Sequence, residues 1–555
     1  MRVAIIGSGP SGIAAAAVFA EQGIPVDLFD GGEALEPPAR NTAELIAEKL
    51  RQESCLQRSD MSALRFGPAQ RSFGRLLYNA VTAAFIKQLP ARQLEKNIFG
   101  SNFAFRSTEH GIPLHGAWMP RSLATGGLSN VWGAACYPLR HDDYIDWPLT
   151  EAELAPWYAK AQTLAGVCAA ADQLEDAYPI YPAAAKLGNH ATFDPGSPVE
   201  SLLSQWKIKS GELRTHGLTG GRPRLAVMPP SETGAGCRRC GLCLFGCPLD
   251  AIWHADKAIP ALSARSRLTH RPGAFVRHLK RDDRGLWLVT GAPDAPVTEQ
   301  GPYDKVLLAA GPLSSLRIAV DSLGLTQHRC RLVENDTYVL PFRLTAPLTT
   351  SDTGPVQFAL SQAVLAVEPG VLGRRPAHLQ FYRITEPILG AIGQLLATLP
   401  ANLGATVFRL LRYHLMALVY LHSDDSRRIE VQIDGKDGPL SRLRINATEH
   451  DHRPELRQFG SLLAAAQHAT GLKPLTALAR IGPPGFSGHI GGTMPLSTTP
   501  TLLQCQVDGQ LEGLPNVYVV DMSVFPAMPA QNPTLTSMAN AMRCAATICK
   551  SRNSE

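Results

Sequence analysis

The first thirty residues leave the chain little conformational freedom. Val3-Ala4-Ile5-Ile6 is an apolar run of the buried-strand type, and Gly7-Ser8-Gly9-Pro10-Ser11-Gly12 follows it. An alanine-rich helix is expected from Ile13 to Gln22, closed by Gly23. A second strand, Val26 to Phe29, ends at Asp30, eighteen residues beyond Gly12. Strand, glycine turn, helix, strand and acid in this order predict a dinucleotide-binding βαβ unit. Gly7 suits the tight turn, Gly9 the approach of a pyrophosphate to the backbone, and Gly12 the packing of helix on strand. The helix N-terminus would face the phosphates and Asp30 a ribose. Read alone, the pattern also fits an ordinary tight strand–helix turn, and it does not choose between NAD and FAD.

The rest of the chain is built for a large interior. It has 555 residues, of which 45% are hydrophobic and only 18% charged. That excludes a disordered or fibrous chain and fits a two-domain enzyme. Net charge is +5, from 53 basic and 48 acidic residues. No long basic run accompanies it, so no nucleic-acid partner is expected. Eleven cysteines, four of them between Cys237 and Cys247, predict a metal or redox site in a reducing compartment. Met1-Arg2 leads straight into the first strand without a leader, h-region and cleavage site in order. The expected location is therefore the cytoplasm, with export on a signal-bearing partner as the alternative.

The C-terminal stretch carries the most specific motifs. It reads His489-Ile490-Gly491-Gly492-Thr493, then Val519-Val520-Asp521-Met522-Ser523-Val524-Phe525-Pro526, then Asn532-Pro533-Thr534-Leu535-Thr536. This resembles the C-terminal signature of the GMC (glucose-methanol-choline) oxidoreductases: H-x-x-G-T, a strand ending in V-V-D-x-S-x-F-P, and N-P-T-x-T before a last helix. Ala124-Thr125-Gly126-Gly127-Leu128-Ser129-Asn130 resembles the glycine-rich flavin loop of the family. Asp146-Trp147-Pro148 and Ala309-Ala310-Gly311 are similar to its further patches. Many members continue the histidine motif as G-T-C-R-M-G, whereas this chain reads Gly492-Thr493-Met494-Pro495-Leu496.

The resemblance implies an α/β fold, with a discontinuous Rossmann-like FAD-binding domain and a second, substrate-binding domain of mixed sheet and helices. The FAD-binding domain would comprise 1–40, 111–140, 255–325 and 485–555. The substrate domain and cover would comprise 41–110, 141–236 and 326–484. It also implies FAD chemistry on the CH–OH group of an alcohol or sugar-like substrate, with hydride passing to flavin N5. His489 falls on the family's active-site histidine and Asn532 on its partner. Gly7, Gly9, Gly12, Asp30, Gly127, Asn130, Val276, Gly311, Asp521 and Pro533 fall on cofactor-binding positions. The chemistry fits: imidazole is a suitable proton acceptor near neutral pH, and an amide can hold a substrate oxygen without adding charge. Outside its motif, His489 would read as one of 16 histidines, bonded to backbone in a loop.

Cys237-Arg238-Arg239-Cys240-Gly241-Leu242-Cys243-Leu244-Phe245-Gly246-Cys247-Pro248 has the C-x2-C-x2-C-x3-C-P spacing of bacterial ferredoxins. Residues 237–248 are therefore expected to form a [4Fe–4S] loop with Cys237, Cys240, Cys243 and Cys247 as ligands. Cys136 or Cys168 could replace Cys247 as the fourth. A tight loop with unused thiols is the alternative, and zinc fits less well because its sites usually pair two C-x2-C units across a longer gap. Cys55, Cys330, Cys505, Cys544 and Cys549 are scattered and read as apolar fillers. A one-electron cluster beside a two-electron flavin points to a dehydrogenase feeding an electron-acceptor protein or quinone. The competing reading is a flavin/iron–sulfur relay with no alcohol substrate. Ile388 to Phe408 carries no charge but is broken by Gly390, Gly393, Pro400 and Gly404. Two short helices, about 386–399 and 403–421, are expected there, as a buried wall or as a peripheral membrane contact through 388–421.

Overall fold

The computed structural model describes residues 1–52, 96–106, 114–181, 197–230, 235–345, 358–383 and 413–552. Cys55 and residues 384–412, which hold the whole uncharged segment Ile388 to Phe408, lie outside them. The expected helix over 403–421 is not what its described end forms. His414–Leu421 is a strand, paired in register on both sides with Thr337–Leu344 and Ala377–Arg383. It is buried on both faces, and its backbone pairs with two neighbouring strands at once, which a helix could not do. Among the described residues no helix is long and apolar enough to cross a membrane.

One sheet is parallel throughout, in the order Val517–Val519, Lys305–Leu308, Val3–Ile6, Val26–Phe29, Leu268–Arg271. Four of its strands are short, mostly apolar and buried, as a sheet covered by helices requires, and the edge strand Leu268–Arg271 is polar and partly exposed. The helix Pro10–Glu21 starts three residues earlier than its apolar pattern suggests. Pro10 at its first position presets the helical φ and needs no hydrogen-bond partner. The final helix, Thr534–Arg552, packs on it, and Ser11 and Ser537 share a hydroxyl hydrogen bond of 2.7 Å. The helix Glu151–Leu164 completes the layer. Thr150 and Glu153 form its capping box, Gly166 follows its end at φ 57°, and Tyr158 is bonded to Thr536 at 2.9 Å.

A second, antiparallel sheet holds Leu472–Pro474, Thr337–Leu344, His414–Leu421, Ala377–Arg383, Ala363–Val367 and Leu218–Gly221, with Arg480–Ile481 at its side. The helices Ser197–Ile208 and Arg453–Ala465 cover one face, burying Trp206, Phe342, Phe381 and Phe459 in a core of their own. A third sheet runs Ile490–Gly491, Gln327–Glu334, Ile429–Asp437, Leu440–Ala447, Leu114–Gly116. The strand Gln327–Glu334 passes from it into the second sheet through only Asn335 and Asp336. The whole is a two-domain α/β architecture.

The first turn tolerates no added bulk. A Cβ on Gly12 would stand 1.9 Å from the Gly7 carbonyl oxygen, and one on Gly7, at φ 111°, would stand 2.2 Å from the Ala309 oxygen. Gly12→Ala should therefore lower stability by at least about 2 kcal/mol, because backbone must move to admit it. Gly211, inside the helix Ser210–Thr215, has open space around its Cβ position. Gly211→Ala should raise stability by about 0.5–1 kcal/mol. Denaturant midpoints of the two variants, measured side by side, check both signs.

Candidate active site

A long cavity lies at the carboxyl ends of the parallel strands, where α/β sheets place their ligands. Gly7, Gly9 and Ser11 of the first turn line it, as do Asp30, Gly127, Val276, Gly311 and Asp521, and it reaches Gly488 and Ile490 on either side of His489. Its empty space, including the open mouth, is about 1120 Å³. The Cβ positions of Gly9 and Gly311 face open space. That is where a bulky phosphate ligand would have to approach the backbone, so a dinucleotide fits the residues present.

Asp30 accepts from the Gly32 amide at 2.9 Å and pairs with His270 Nε2 at 2.9 Å. Asp521 is more fully committed to the fold. It accepts from the Gly311 amide, the Ser315 hydroxyl and both donors of Ser523, at 2.5–2.9 Å. Burial pushes its carboxyl above the usual range against the pull of these bonds. Gly12, Asn130 and Pro533 do not line the cavity. Gly12 packs on Gly7, Asn130 folds the flavin loop by donating to Thr125 O and Gly127 O, and Pro533 heads the last helix.

His489 and Asn532 meet: Asn532 Nδ2 lies 3.1 Å from His489 Nε2. The other ring nitrogen, Nδ1, lies 2.9 Å from Asn335 Oδ1. Asn335 Nδ2 donates to the carbonyls of Leu421 at 2.7 Å and Pro529 at 2.9 Å. Backbone carbonyls only accept, so the orientation of the Asn335 amide is fixed and its oxygen must accept from His489 Nδ1–H. In the neutral ring Nε2 then bears a lone pair, and Asn532 must present its NH2 to it. Asn532 Oδ1 in turn accepts from Gln380 Nε2, which also donates to His378 Nε2 at 3.0 Å, while Gln380 Oε1 accepts from Tyr382 at 2.7 Å. His378 Nδ1 reaches the Tyr178 hydroxyl at 2.7 Å. Burial keeps both rings uncharged, lowering His489 to about 4 and His378, with some help from the nearby His489 and Arg140, to about 3. Tyr420 stacks on His489, with centroids 5.2 Å apart.

Asn335, Gln380, His378, Tyr382 and Tyr420 carry no motif and are absent from the sequence reading. One signal was present. In Ala377–Arg383 His378, Gln380 and Tyr382 alternate with Ala377, Leu379 and Phe381. The apolar set enters the second core, so the polar set must face another buried surface. Glu334 was missed too. Its carboxylate accepts from the Gly485 amide and the Ser487 hydroxyl, tying down the loop that carries His489, and burial pushes it up to about 7.

The four motif cysteines lie near enough to interact electrostatically. Burial and mutual repulsion push Cys237 up to about 11, Cys240 up to about 12 and Cys243 well above the usual thiol value. Cys247 contributes to all three shifts, whereas neither Cys136 nor Cys168 is among their causes. Backbone amides point at the sulfurs: Arg239 N to Cys237 at 3.4 Å, Ala251 N to Cys247 at 3.2 Å, Leu242 N to Cys240 and Ala359 N to Cys243. Lys96 lies beside Cys243, and burial lowers its ammonium to about 8 against the pull of that thiol.

Residues 431–541 match the family model for GMC oxidoreductase. Among solved structures, pyridoxine 4-oxidase from Mesorbium loti is similar, with a TM-score of 0.54 and 15% identity over 99% of each chain. Comparison with curated proteins gives no significant match. The family match covers about one fifth of the chain, and the likeness to the solved structure is one of fold.

Gly9→Ala separates fold from cofactor. The new methyl meets no protein atom within 4 Å and φ is ordinary, so the thermal midpoint of the apoprotein should stay unchanged. The methyl enters the cavity, so FAD affinity should fall at least about tenfold, or about 1.4 kcal/mol. Flavin titration followed by fluorescence quenching measures it.

Proposed function

We propose that the protein is a dehydrogenase for a small alcohol or sugar-like substrate, with His489 as the base and the four-cysteine loop holding a [4Fe–4S] cluster that passes electrons to a carrier protein or quinone. The observation that carries the base is the fixed hydrogen-bond polarity around His489, which leaves Nε2 without a proton. A substrate hydroxyl entering between the two side chains would accept from Asn532 Nδ2 and give its proton to His489 Nε2. The O–H bond breaks, an N–H bond forms, and Asn335 steadies the ring from its far side. FAD, when bound, supplies the hydride acceptor for the C–H bond of the same carbon.

Gly7, Gly9 and Ser11 would hold the pyrophosphate, and Asp30 the ribose. Cys237, Cys240, Cys243 and Cys247 would hold the cluster. Their electrostatic proximity and the amides aimed at their sulfurs support that reading, because N–H···S bonds are among the features that set cluster potentials. The alcohol is sought by anaerobic flavin bleaching with sugars, sterols, long-chain alcohols and, given the similar structure, pyridoxine.

His489→Ala should keep FAD and slow anaerobic flavin reduction by at least about a hundredfold. In the wild type that rate should hold steady from neutral pH down to about 5. It should then fall as His489 takes a proton near pH 4, because an imidazolium cannot accept another. A rate that falls instead through pH 6.5 would contradict the buried, neutral ring.

Changing Cys237, Cys240 and Cys243 together to Ser should remove about four irons per chain while the flavin stays bound. Transfer to a one-electron acceptor should then collapse, while anaerobic bleaching by substrate persists. Iron analysis and stopped-flow absorbance read the two effects separately.

A further inference from the structure

Away from the flavin cavity, the segment after the strand Leu440–Ala447 gathers three metal-ligating side chains in the spacing H-x-H-x-x-E. His452 caps the helix Arg453–Ala465, and Glu455 lies in its first turn. The turn ahead of the helix folds His450 back onto Glu455, with Nε2 3.1 Å from a carboxylate oxygen. The rings of His450 and His452 are 4.4 Å apart between centroids. One ligand atom from each of the three residues lies within 4.8 Å of the other two.

We propose that His450, His452 and Glu455 form a site for a divalent transition-metal ion of the zinc type. Two imidazoles and a carboxylate are a zinc donor set, with a water left to complete four-coordination. Nitrogen donors disfavour calcium and magnesium, which take oxygen. At zinc bond lengths, tetrahedral ligand atoms stand roughly 3.3 Å apart, close to the His450–Glu455 separation. His452 is already oriented: its Nδ1 meets the Tyr338 hydroxyl at 3.0 Å, and its Nε2 lies 3.7 Å from Asp336, itself bound to Arg427. Whichever nitrogen takes the ion, the other keeps a polar partner, as metal-bound histidines do.

Glu455 supplies an independent observation. Its Oε2 is buried and has no hydrogen-bond partner among the described residues, a costly state that a cation relieves. The ion takes the lone pairs of neutral imidazoles, so binding weakens in acid. A second grouping, Asp146, His422 and Asp424, does not compete, because Arg375 already places its guanidinium between the two carboxylates.

The test titrates Zn²⁺ into purified holoenzyme against a chromophoric chelator, with His450→Ala and Glu455→Gln alongside. The cysteine loop can also bind zinc, so the readout is the difference between wild type and variants. The wild type should bind one equivalent more than His450→Ala. Glu455→Gln should weaken that equivalent by at least about a hundredfold, the upper range for losing even an orienting partner. Flavin content should not change. Co²⁺ in the same site should give weak visible bands without sulfur charge transfer. Equal zinc stoichiometry and affinity in all three proteins, or sulfur charge transfer from the differing equivalent, would overturn the proposal.

Discussion

Two backbone carbonyls, those of Leu421 and Pro529, set the polarity of the active site. Both accept from the Asn335 amide, and a carbonyl has no alternative role. From there each side chain has one consistent orientation. Asn335 offers its oxygen, His489 its Nδ1–H, Asn532 its NH2 and Gln380 its own NH2 in turn. The result is a neutral imidazole whose free lone pair sits beside a carboxamide donor. Burial reinforces it, because charging either His489 or His378 would place an uncompensated cation among tyrosines and amides.

The backbone that delivers this arrangement is the junction between two sheets. Glu334, Asn335 and Asp336 are consecutive, polar and buried, which is costly unless each is fully used. Glu334 fixes the loop before His489, Asn335 fixes its ring, and Asp336 binds Arg427. The pairing of Val333 and Glu334 with Gly491 and Ile490 sets the distance between the ring and its anchor. The parallel sheet contributes the cavity, and its first turn is so close to Ala309 and Gly7 that side chains are excluded there.

Sequence alone reveals the parts that obey short-range rules. The glycine turn, its flanking strands and the C-terminal motif are local patterns, and the folded chain contains those elements. It also brings His489 and Asn532 together, although 43 residues separate them. Asn335, Gln380 and His378 were illegible because their roles depend on register between strands distant in sequence. Residues 414–421 were misassigned for a related reason. A short apolar run does not distinguish helix from a strand buried on both faces, and only its partners at Thr337–Leu344 and Ala377–Arg383 decide the matter. Asn130 and Pro533, which the family resemblance assigns to the cofactor, shape the loop and helix behind the cavity without lining it.

The central claim is a proton position, so neutron diffraction from a perdeuterated crystal at neutral pH tests it most directly. The account predicts nuclear density for deuterium on His489 Nδ1, directed at Asn335 Oδ1, and none on Nε2, with both deuteriums of Asn335 directed at the Leu421 and Pro529 carbonyls. Deuterium on Nε2, or on both ring nitrogens, would contradict it.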